Sequence, residues 1–256
     1  MPGVGQWLRS GAMLLASRTV AVSRGVAEAL PSVARNRVTV IPNGVDTDAF
    51  SPDPVADRDA VRARLGVGAE DVMVLAATRL DPVKRIEDLI DAVRSVDEPR
   101  LTLVVAGVTS AFAGYEREVR ATGQALLGQR VIFCGDRDDM AALFRASDVV
   151  LHAGVVEGMP LGLLEAQACG IPVVAYAVAG VPEAVRDGVT GLLAAPGDVA
   201  ALGAALRRLI IDPAARIEMG ASARAHVLAH HQLQAQAVRN AELLTEMCGV
   251  PRAMAG

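Results

Sequence analysis

Short apolar runs alternate with helical patterns over the central part of the chain. The runs are rich in Val, Leu, Ile and Ala, which is typical of strands buried on both faces of a parallel sheet. They lie at Val72–Ala77, Leu101–Ala106, Val131–Cys134, Val149–Leu151, Pro172–Ala175 and Gly191–Ala194. Helices are predicted between them, at Ile86–Val96, Tyr115–Leu127, Met140–Arg145 and Leu161–Cys169. This alternation predicts an α/β fold with a doubly wound, Rossmann-like parallel sheet that binds ligands at the carboxyl ends of its strands.

The two ends of the chain have different patterns. Near the N-terminus, Ser23 is the expected N-cap of a helix that runs through Leu30. Two short strands are predicted on either side of that helix, at Thr19–Val22 and Val38–Ile41. A Pro- and Asp-rich linker follows at Ser51–Asp59, and then a short helix at Ala60–Leu65. Long amphipathic helices close the chain at Asp198–Ile211, Ala214–His226 and Leu233–Met247.

Two glutamates flank the predicted start of the helix after the fourth strand. Glu157 lies on the loop and Glu165 lies inside the helix, with Pro160 in its first turn. Backbone N–H groups at such a helix start attract phosphate. Two carboxylates beside a phosphate site make sense if they accept hydrogen bonds from the hydroxyls of a ribose and a sugar. The alternative is that Glu157 only favours the helix N-terminus and that Glu165 is solvated.

The whole segment, E-G-M-P-L-G-L-L-E-A-Q-A-C-G-I-P-V-V-A, resembles the E-x7-E segment of family-4 glycosyltransferases. These are retaining, sugar-nucleotide-dependent enzymes with the glycosyltransferase-B fold. The resemblance implies that Glu157 contacts the donor sugar and that Glu165 contacts the nucleotide ribose. It also implies that the residues between them line the donor site, namely Gly158, Met159, Pro160 and Leu161.

A pair of cations follows the first strand of the predicted sheet. Arg79 lies at the carboxyl end of that strand and Lys84 at the entry to the next helix, where two positive charges neutralise a pyrophosphate. An isolated pair with this spacing is more often a solvated surface pair. The segment resembles the family's G-R-L-x-x-x-K-G motif, which implies that Arg79 and Lys84 contact the donor diphosphate. Ala77 and Arg85 replace the two glycines of that motif, which is expected to narrow the access of the diphosphate to the backbone.

Three further segments have a less definite interpretation. Val131–Gly135 resembles the family segment whose backbone lines the base pocket, so Gly135 is a predicted donor-binding residue. Glu183, in a turn that resembles the family's G-G-x-P-E motif, is interpreted as an acid at a helix start. His152 follows the fourth strand on the same rim as Glu157, and a packing or hydrogen-bonding role is favoured over catalysis.

The N-terminal part resembles the last strand–helix–strand of the family's N-terminal domain and the crossover into the C-terminal one. We therefore expect residues 1–50 to be a remnant of the acceptor-side domain and residues 51–230 to bind the nucleotide sugar. Residues 231–256 form a C-terminal helix and tail. We expect the chain to be the C-terminal half of a glycosyltransferase-B fold whose N-terminal domain is largely missing, so that it is a fragment or one half of a split enzyme. The apolar surface left uncovered predicts self-association.

Composition narrows the classes of protein. The sequence is 52% hydrophobic and 21% charged, as in a compact globule, and its net charge of −4 argues against a nucleic-acid partner. The 3 cysteines have no metal-ligand spacing and are expected to be reduced, which indicates a cytoplasmic protein. No stretch approaches the roughly 20 apolar residues of a transmembrane helix. Peripheral membrane association through Trp7–Leu15 is an alternative to an ordinary packed helix.

The resemblance implies an enzyme that transfers a sugar from a nucleotide-diphosphate sugar with retention of configuration. Glu157, Arg79 and Lys84 are its expected catalytic residues, and no cofactor or essential metal is expected. The acceptor is an unidentified glycan, lipid or small molecule, and a partner chain would supply the acceptor half. The alternatives are a sugar-nucleotide-binding module that is inactive alone and, less favoured, a sugar-nucleotide epimerase.

Overall fold

A computed structural model of the chain describes residues 16–52, 58–109 and 111–249. The predicted membrane-association segment Trp7–Leu15 and most of the predicted linker Ser51–Asp59 lie outside these residues. No helix in the described part of the chain combines the length and apolar character needed to cross a bilayer.

A parallel sheet of six strands forms the centre of the molecule, as the apolar runs predict. Its strands, in chain order, are β3 (Val72–Ala77), β4 (Leu101–Ala106), β5 (Val131–Gly135), β6 (Val149–His152), β7 (Val173–Tyr176) and β8 (Gly191–Ala194). Their order across the sheet is β5-β4-β3-β6-β7-β8. The chain therefore builds outward from β3 in one direction and from β6 in the other. In a doubly wound sheet, ligands bind at the carboxyl ends of the two strands where the direction reverses.

Helices cover both faces of this sheet. They are α3 (Arg58–Leu65), α4 (Ile86–Val96), α5 (Ala113–Leu127), α6 (Met140–Ala146), α7 (Leu161–Ala168), α8 (Val181–Ala184), α9 (Val199–Ile211) and α10 (Pro213–His230). Short 3₁₀ turns lie at Pro82–Lys84 and Gly128–Arg130. Along β3, Val74 and Ala76 belong to one core cluster, and Met73 and Leu75 belong to the other. Because both faces of the strand are buried, its sequence is continuously apolar instead of alternating.

A smaller unit precedes the sheet. It consists of β1 (Thr19–Ala21), α1 (Arg24–Ala29), α2 (Ser32–Arg35) and β2 (Val38–Val40), and β1 and β2 form their own parallel pair. Ser23 is the N-cap of α1 as predicted, because its side chain accepts a hydrogen bond from the Val26 N–H. The last helix, α11 (Leu233–Cys248), returns to this unit, where Val45 pairs with Gln232. The division of the chain at residues 50 and 230 stays a prediction.

The predicted elements differ from the observed ones mainly at their ends. Helix α10 continues to His230, four residues beyond its predicted end at His226. Pro160 lies at the N-cap of α7 and not inside its first turn, and Pro172 lies just before β7. The short helix α2 and the 3₁₀ turn at Pro82–Lys84 were not predicted, and α8 was indicated only by the interpretation of Glu183 as an acid at a helix start. Such elements span one turn or less, so no apolar periodicity marks them.

Candidate functional site

A cavity of about 550 Å³ lies at the carboxyl ends of β3 and β6, where the winding direction of the sheet reverses. Its walls come from four separate parts of the chain: the turn before the linker, the loop after β3, β6 with the loop that follows it, and the start of α7. The lining residues include Asn43, Ala77, Thr78, Arg79, Lys84, His152, Glu157, Met159, Pro160, Leu161 and Gly162. The structure thus brings the predicted cations Arg79 and Lys84 into one cavity with Glu157.

Arg79 stands at the mouth of this cavity. Its side chain is 69% exposed, and its Nη2 lies 3.0 Å from Oδ2 of Asp81, which is buried. The other oxygen of Asp81 accepts a hydrogen bond of 2.8 Å from the Thr109 hydroxyl. Asp81 therefore anchors an otherwise mobile guanidinium, which leaves the outer face of Arg79 accessible to an anion.

Lys84, Glu157 and His152 form a buried cluster inside the cavity. Oε1 of Glu157 lies 2.6 Å from the Lys84 Nζ and 2.8 Å from the His152 Nε2. Burial acts to raise the pKa of Glu157, but hydrogen bonds from His152 and Lys84 outweigh it and hold the pKa below its usual value. Glu157 is therefore an ionised carboxylate held by two donors. His152 was interpreted as a packing or hydrogen-bonding residue, and it does form a hydrogen bond, with Glu157 itself.

Gly154 makes this cluster sterically possible. A Cβ atom at this position would lie 2.1 Å from the Glu157 Oε1 and 2.7 Å from the His152 Nε2. Any side chain here would displace the carboxylate, because carbon and oxygen atoms do not approach so closely without a bond.

The start of α7 forms the floor of the cavity. Helix α7 begins at Leu161, and no side chain caps its N-terminus. The first N–H groups of a helix have no partner within it, so they are available to an anion. Gly162 faces β3, where a Cβ atom would lie 3.5 Å from the Ala77 carbonyl oxygen and 3.9 Å from the Ala77 Cβ. The methyl group of Ala77 therefore lies against a glycine, and the pair keeps the strand and the helix close together.

The loop between Glu157 and α7 is held by the N-terminal unit. The Asn43 Nδ2 donates a 2.8 Å hydrogen bond to the carbonyl oxygen of Met159, which lines the cavity. The Ser23 hydroxyl donates a 3.2 Å hydrogen bond to the carbonyl of Gly158. Gly158 itself is not part of the cavity wall. It can affect the site only by setting the conformation of the loop between Glu157 and α7.

Besides Gly158, two more of the predicted donor-binding residues lie outside the cavity wall. Glu165 is half-buried one turn into α7, and its carboxylate has no hydrogen bond or ion pair with the part of the chain that the structure describes. Burial raises its pKa. Gly135 ends the edge strand β5, with its carbonyl bonded to the Gly107 N–H at 2.7 Å. Because β4 lies between β5 and β3, Gly135 is two strands away from the cations.

The geometry can be compared with known proteins. Residues 57–226 match the family described as glycosyl transferases group 1. The chain belongs to this family. Because the match extends from α3 into α10, it covers the whole six-stranded sheet and every predicted site residue.

Other glycosyltransferases have similar sequences. D-inositol 3-phosphate glycosyltransferase of Mycobacterium tuberculosis is 37% identical over 195 residues, which are 73% of this chain and 40% of that protein. The same protein of Mycobacterium bovis matches to the same extent. The chain therefore spans about two-fifths of the length of these relatives.

Solved structures also resemble the chain. Anabaena Alr3699/HepE in complex with UDP and glucose has a TM-score of 0.85 and 30% identity, over 90% of this chain and 64% of that one. The C-terminal domain of the group 1 protein LpcC from Francisella tularensis has a TM-score of 0.66 and 25% identity, and the match covers 100% of that domain and 74% of this chain. The predicted fold, the C-terminal half of a glycosyltransferase-B enzyme, is thereby confirmed.

The structure of this group 1 chain explains one departure from the family motif. Arg85, which replaces a glycine, adopts the left-handed conformation with φ of 52° and ψ of 54°. Its guanidinium forms hydrogen bonds of 2.8 Å and 3.2 Å to the two oxygens of Asp88, which is buried. The chain therefore keeps the backbone shape that glycine allows, and the ion pair offsets the strain. Arg85 is not among the residues that line the cavity.

The sequence interpretation missed Asn43, Gly154 and Asp81. Asn43 lies in a Pro-Asn-Gly turn, and such turns are common for conformational reasons alone. A separate signal in the sequence supports Lys84, which was predicted. Lys84 is the only lysine of the sequence, against 24 arginines. A single ammonium in a chain that otherwise uses guanidinium groups points to a position where a compact, mobile charge is required.

Proposed function

We propose that this chain provides the donor-binding site of a retaining glycosyltransferase that uses a nucleotide-diphosphate sugar. One observation carries the proposal: Arg79, Lys84, Glu157 and the uncapped start of α7 meet in one cavity at the reversal point of the sheet. Two cations and a helix start suit a diphosphate, and an ionised carboxylate beside them suits the hydroxyls of a sugar.

The donor we propose to test first is UDP-glucose. Anabaena Alr3699/HepE, at 30% identity, has been solved with UDP and glucose and, at 29% identity, with UDP-glucose. The cavity offers mainly backbone and aliphatic groups apart from its charged residues, so its side chains do not select a base or a sugar.

In the proposed reaction the bond between the anomeric carbon and the diphosphate breaks. Negative charge then grows on the diphosphate while the sugar becomes cation-like. Arg79, Lys84 and the N–H groups at the start of α7 would stabilise the departing diphosphate, each contact contributing about 3 kcal/mol. Glu157 would orient the sugar and favour its positive charge, and Glu165 would bind the ribose. In this proposal the reaction needs no metal or other cofactor.

Binding of the donor is tested by calorimetry. Lys84→Met keeps most of the side-chain length and removes the charge, so we expect UDP-glucose to bind at least about 1 kcal/mol more weakly. Arg94→Met is the matched control, because it also removes a cation but alters only an exposed pair with Asp91 on α4. A panel of nucleotide sugars screened by thermal unfolding identifies the preferred donor. The proposal fails if no nucleotide sugar binds. It also fails if Lys84→Met and Arg94→Met both bind the donor as tightly as the unaltered protein does.

Transfer is a separate question from binding. The relatives are more than twice as long as the matched segment, so groups for the acceptor are expected from a further part of the enzyme. A transfer assay with the donor found above distinguishes the two outcomes. Binding with turnover supports a glycosyltransferase, and binding without turnover supports a sugar-nucleotide-binding module. A cytoplasmic location, with or without membrane contact, stays a prediction.

A further inference from the structure

In the ligand-free protein two side chains, Lys84 and His152, donate hydrogen bonds to Glu157. The proposed reaction takes Lys84 away from Glu157. Both Lys84 and His152 contact the same oxygen of Glu157, at 2.6 Å and 2.8 Å. The side chains of Lys84, Glu157 and His152 are 15%, 7% and 7% exposed, so water does little to stabilise the carboxylate. A buried carboxylate that loses a cationic partner must gain another or become protonated.

Donor binding would remove one of these partners. The diphosphate carries two negative charges, and Lys84 lines the cavity that would receive it. The Lys84 ammonium is a compact charge on a flexible stem, which suits a change of partner. Once Lys84 has turned to the diphosphate, His152 is the one protein group of the cluster that still donates to Glu157, and the sugar hydroxyls that Glu157 would bind carry no charge.

We propose that His152 holds Glu157 in position while the donor is bound, and that it takes up a proton when Lys84 moves to the diphosphate. This inference rests on the proposed function. Because Glu157 is an ionised carboxylate that only accepts hydrogen bonds, the His152 Nε2 must carry the hydrogen in the ligand-free protein. The added proton comes from the solvent and goes to the other ring nitrogen, Nδ1. Imidazolium then replaces ammonium as the cation next to Glu157.

The charged surroundings of His152 are simple enough for a clear measurement. The charged or titratable side chains that line the cavity together with His152 are Glu157, Lys84 and Arg79, and Arg79 is paired with Asp81. Lysine and arginine keep their charge at neutral pH. Proton uptake on donor binding would therefore arise at His152 or at Glu157.

Calorimetric titration with UDP-glucose near neutral pH, in two buffers of different ionisation enthalpy, measures this uptake. UDP-glucose is the right probe because both of its phosphates are bridged or esterified. Neither phosphate therefore has the second ionisation of a terminal phosphate, at about pH 6, that would add its own proton exchange. We expect the unaltered protein to take up a fraction of a proton per bound donor. Its affinity should then rise as the pH falls, by up to about tenfold per pH unit for one linked proton.

His152→Gln separates positioning from protonation. The glutamine amide nitrogen can replace Nε2 as a donor to Glu157, but it takes up no proton. For His152→Gln we therefore expect the enthalpy of UDP-glucose binding to be the same in both buffers, after correction for nothing but dilution, and the affinity to stay constant with pH. His230→Gln is the matched control, because His230 is an exposed residue at the end of α10, and it should keep the uptake of the unaltered protein.

A second variant does not depend on the folding of His152→Gln. In Lys84→Met, Glu157 has only His152 as a partner before the donor arrives, so binding is expected to be weaker and without proton uptake. The proposal is overturned if the unaltered protein binds without buffer dependence. It is also overturned if His152→Gln still takes up a proton, which would assign the proton to Glu157. Absence of any nucleotide-sugar binding is a different result, since it refutes the proposed function itself.

Discussion

The carboxylate of Glu165 is half-buried and has no partner among the described residues, which lowers the stability of the ligand-free protein. Burial raises its pKa, which means that folding disfavours the ionised form. Residues that bind ligands often carry such a cost, and removing them stabilises the ligand-free protein. A hydroxyl donor such as a ribose would satisfy the carboxylate.

Glu165→Gln is therefore expected to stabilise the ligand-free protein and to weaken donor binding. The gain is expected near the lower end of stabilising substitutions, about 0.5 kcal/mol. A carboxyl with a raised pKa in the folded state contributes less stability as the pH rises. The gain should therefore be absent in acid and develop as the pH rises from the ordinary pKa of a glutamate through the raised pKa of Glu165. Thermal unfolding across this range, with and without UDP-glucose, checks both parts. A gain that does not vary with pH would show that ionisation of Glu165 is not its cause.

Arg85 combines a strained backbone with a buried ion pair. Its φ of 52° is unfavourable for a residue with a Cβ atom, and its partner Asp88 also accepts a 2.9 Å hydrogen bond from the Tyr176 hydroxyl. The two effects can be separated by comparing two substitutions that both remove the guanidinium.

Arg85→Ala and Arg85→Gly should each destabilise the protein, because both leave Asp88 without its cation. Arg85→Gly should be the more stable of the two by about 0.5–1 kcal/mol, after allowing for the greater freedom of glycine in the unfolded chain. Urea unfolding measures the difference. Equal stability of the two variants would mean that the left-handed backbone at this position carries no strain.

At the scale of elements, an ion-pair network joins α3 to the sheet. Arg62 of α3 is 2% exposed, and its Nη1 donates to the Ala146 carbonyl at 3.0 Å and lies 3.3 Å from Oδ2 of Asp148. Its Nη2 donates to the carbonyls of Gly68 and Asp71. The same oxygen of Asp148 accepts a hydrogen bond from the N–H of Met73 in β3. A charged residue thus closes the end of the sheet opposite the cavity.

Arg62→Met is expected to lower the free energy of unfolding by about 1–3 kcal/mol, because the carbonyls of Gly68 and Asp71 lose the guanidinium as a donor. Asp148 and the Ala146 carbonyl keep Arg58 as a partner. Arg64→Met on the same helix is the control. Arg64 is 66% exposed and lies 3.7 Å from Asp139, so its loss should cost about 0–1 kcal/mol. Chemical denaturation distinguishes these outcomes, and similar effects of the two substitutions would contradict the structural role of Arg62.

At the scale of the whole molecule, the turn that follows β2 meets the junction between α10 and α11 beside the cavity. The His231 Nδ1 lies 3.2 Å from the Asn43 carbonyl oxygen, and the Asn43 side chain bonds to Met159. Glu183 lies in the first turn of α8, as interpreted from the sequence. It also accepts a 3.1 Å hydrogen bond from the Gly25 N–H of α1, which adds a contact to the N-terminal unit. Segments far apart in the sequence therefore fix the loop that carries Glu157.

Asn43→Ala is expected to weaken UDP-glucose binding by about 1 kcal/mol, because the Met159 carbonyl loses its donor and the loop can shift. Asn240→Ala is the control, since the side chain of Asn240 donates at 2.9 Å to the Gln236 carbonyl within α11. Calorimetry on both variants measures the effect. If Asn43→Ala binds as tightly as Asn240→Ala, the hydrogen bond to Met159 does not position the donor site.

The sequence by itself determined the sheet, its helices and the edge of the sheet at which the cavity lies. Strand β3 and helix α4 have the predicted bounds, since the periods of buried strands and amphipathic helices are local properties of the chain. The family motifs led to Arg79, Lys84 and Glu157 because they lie within short, ordered segments.

Only the tertiary structure decided which groups touch. Asn43 and Met159 are 116 positions apart, and Lys84 and Glu157 are 73 apart, so no local pattern encodes either hydrogen bond. The packing of β6 against β3 brings the second pair together, and Gly154 leaves the space that this contact requires. Charge pairing of this kind depends on distances of a few tenths of an ångström, and such distances are set only when distant segments pack.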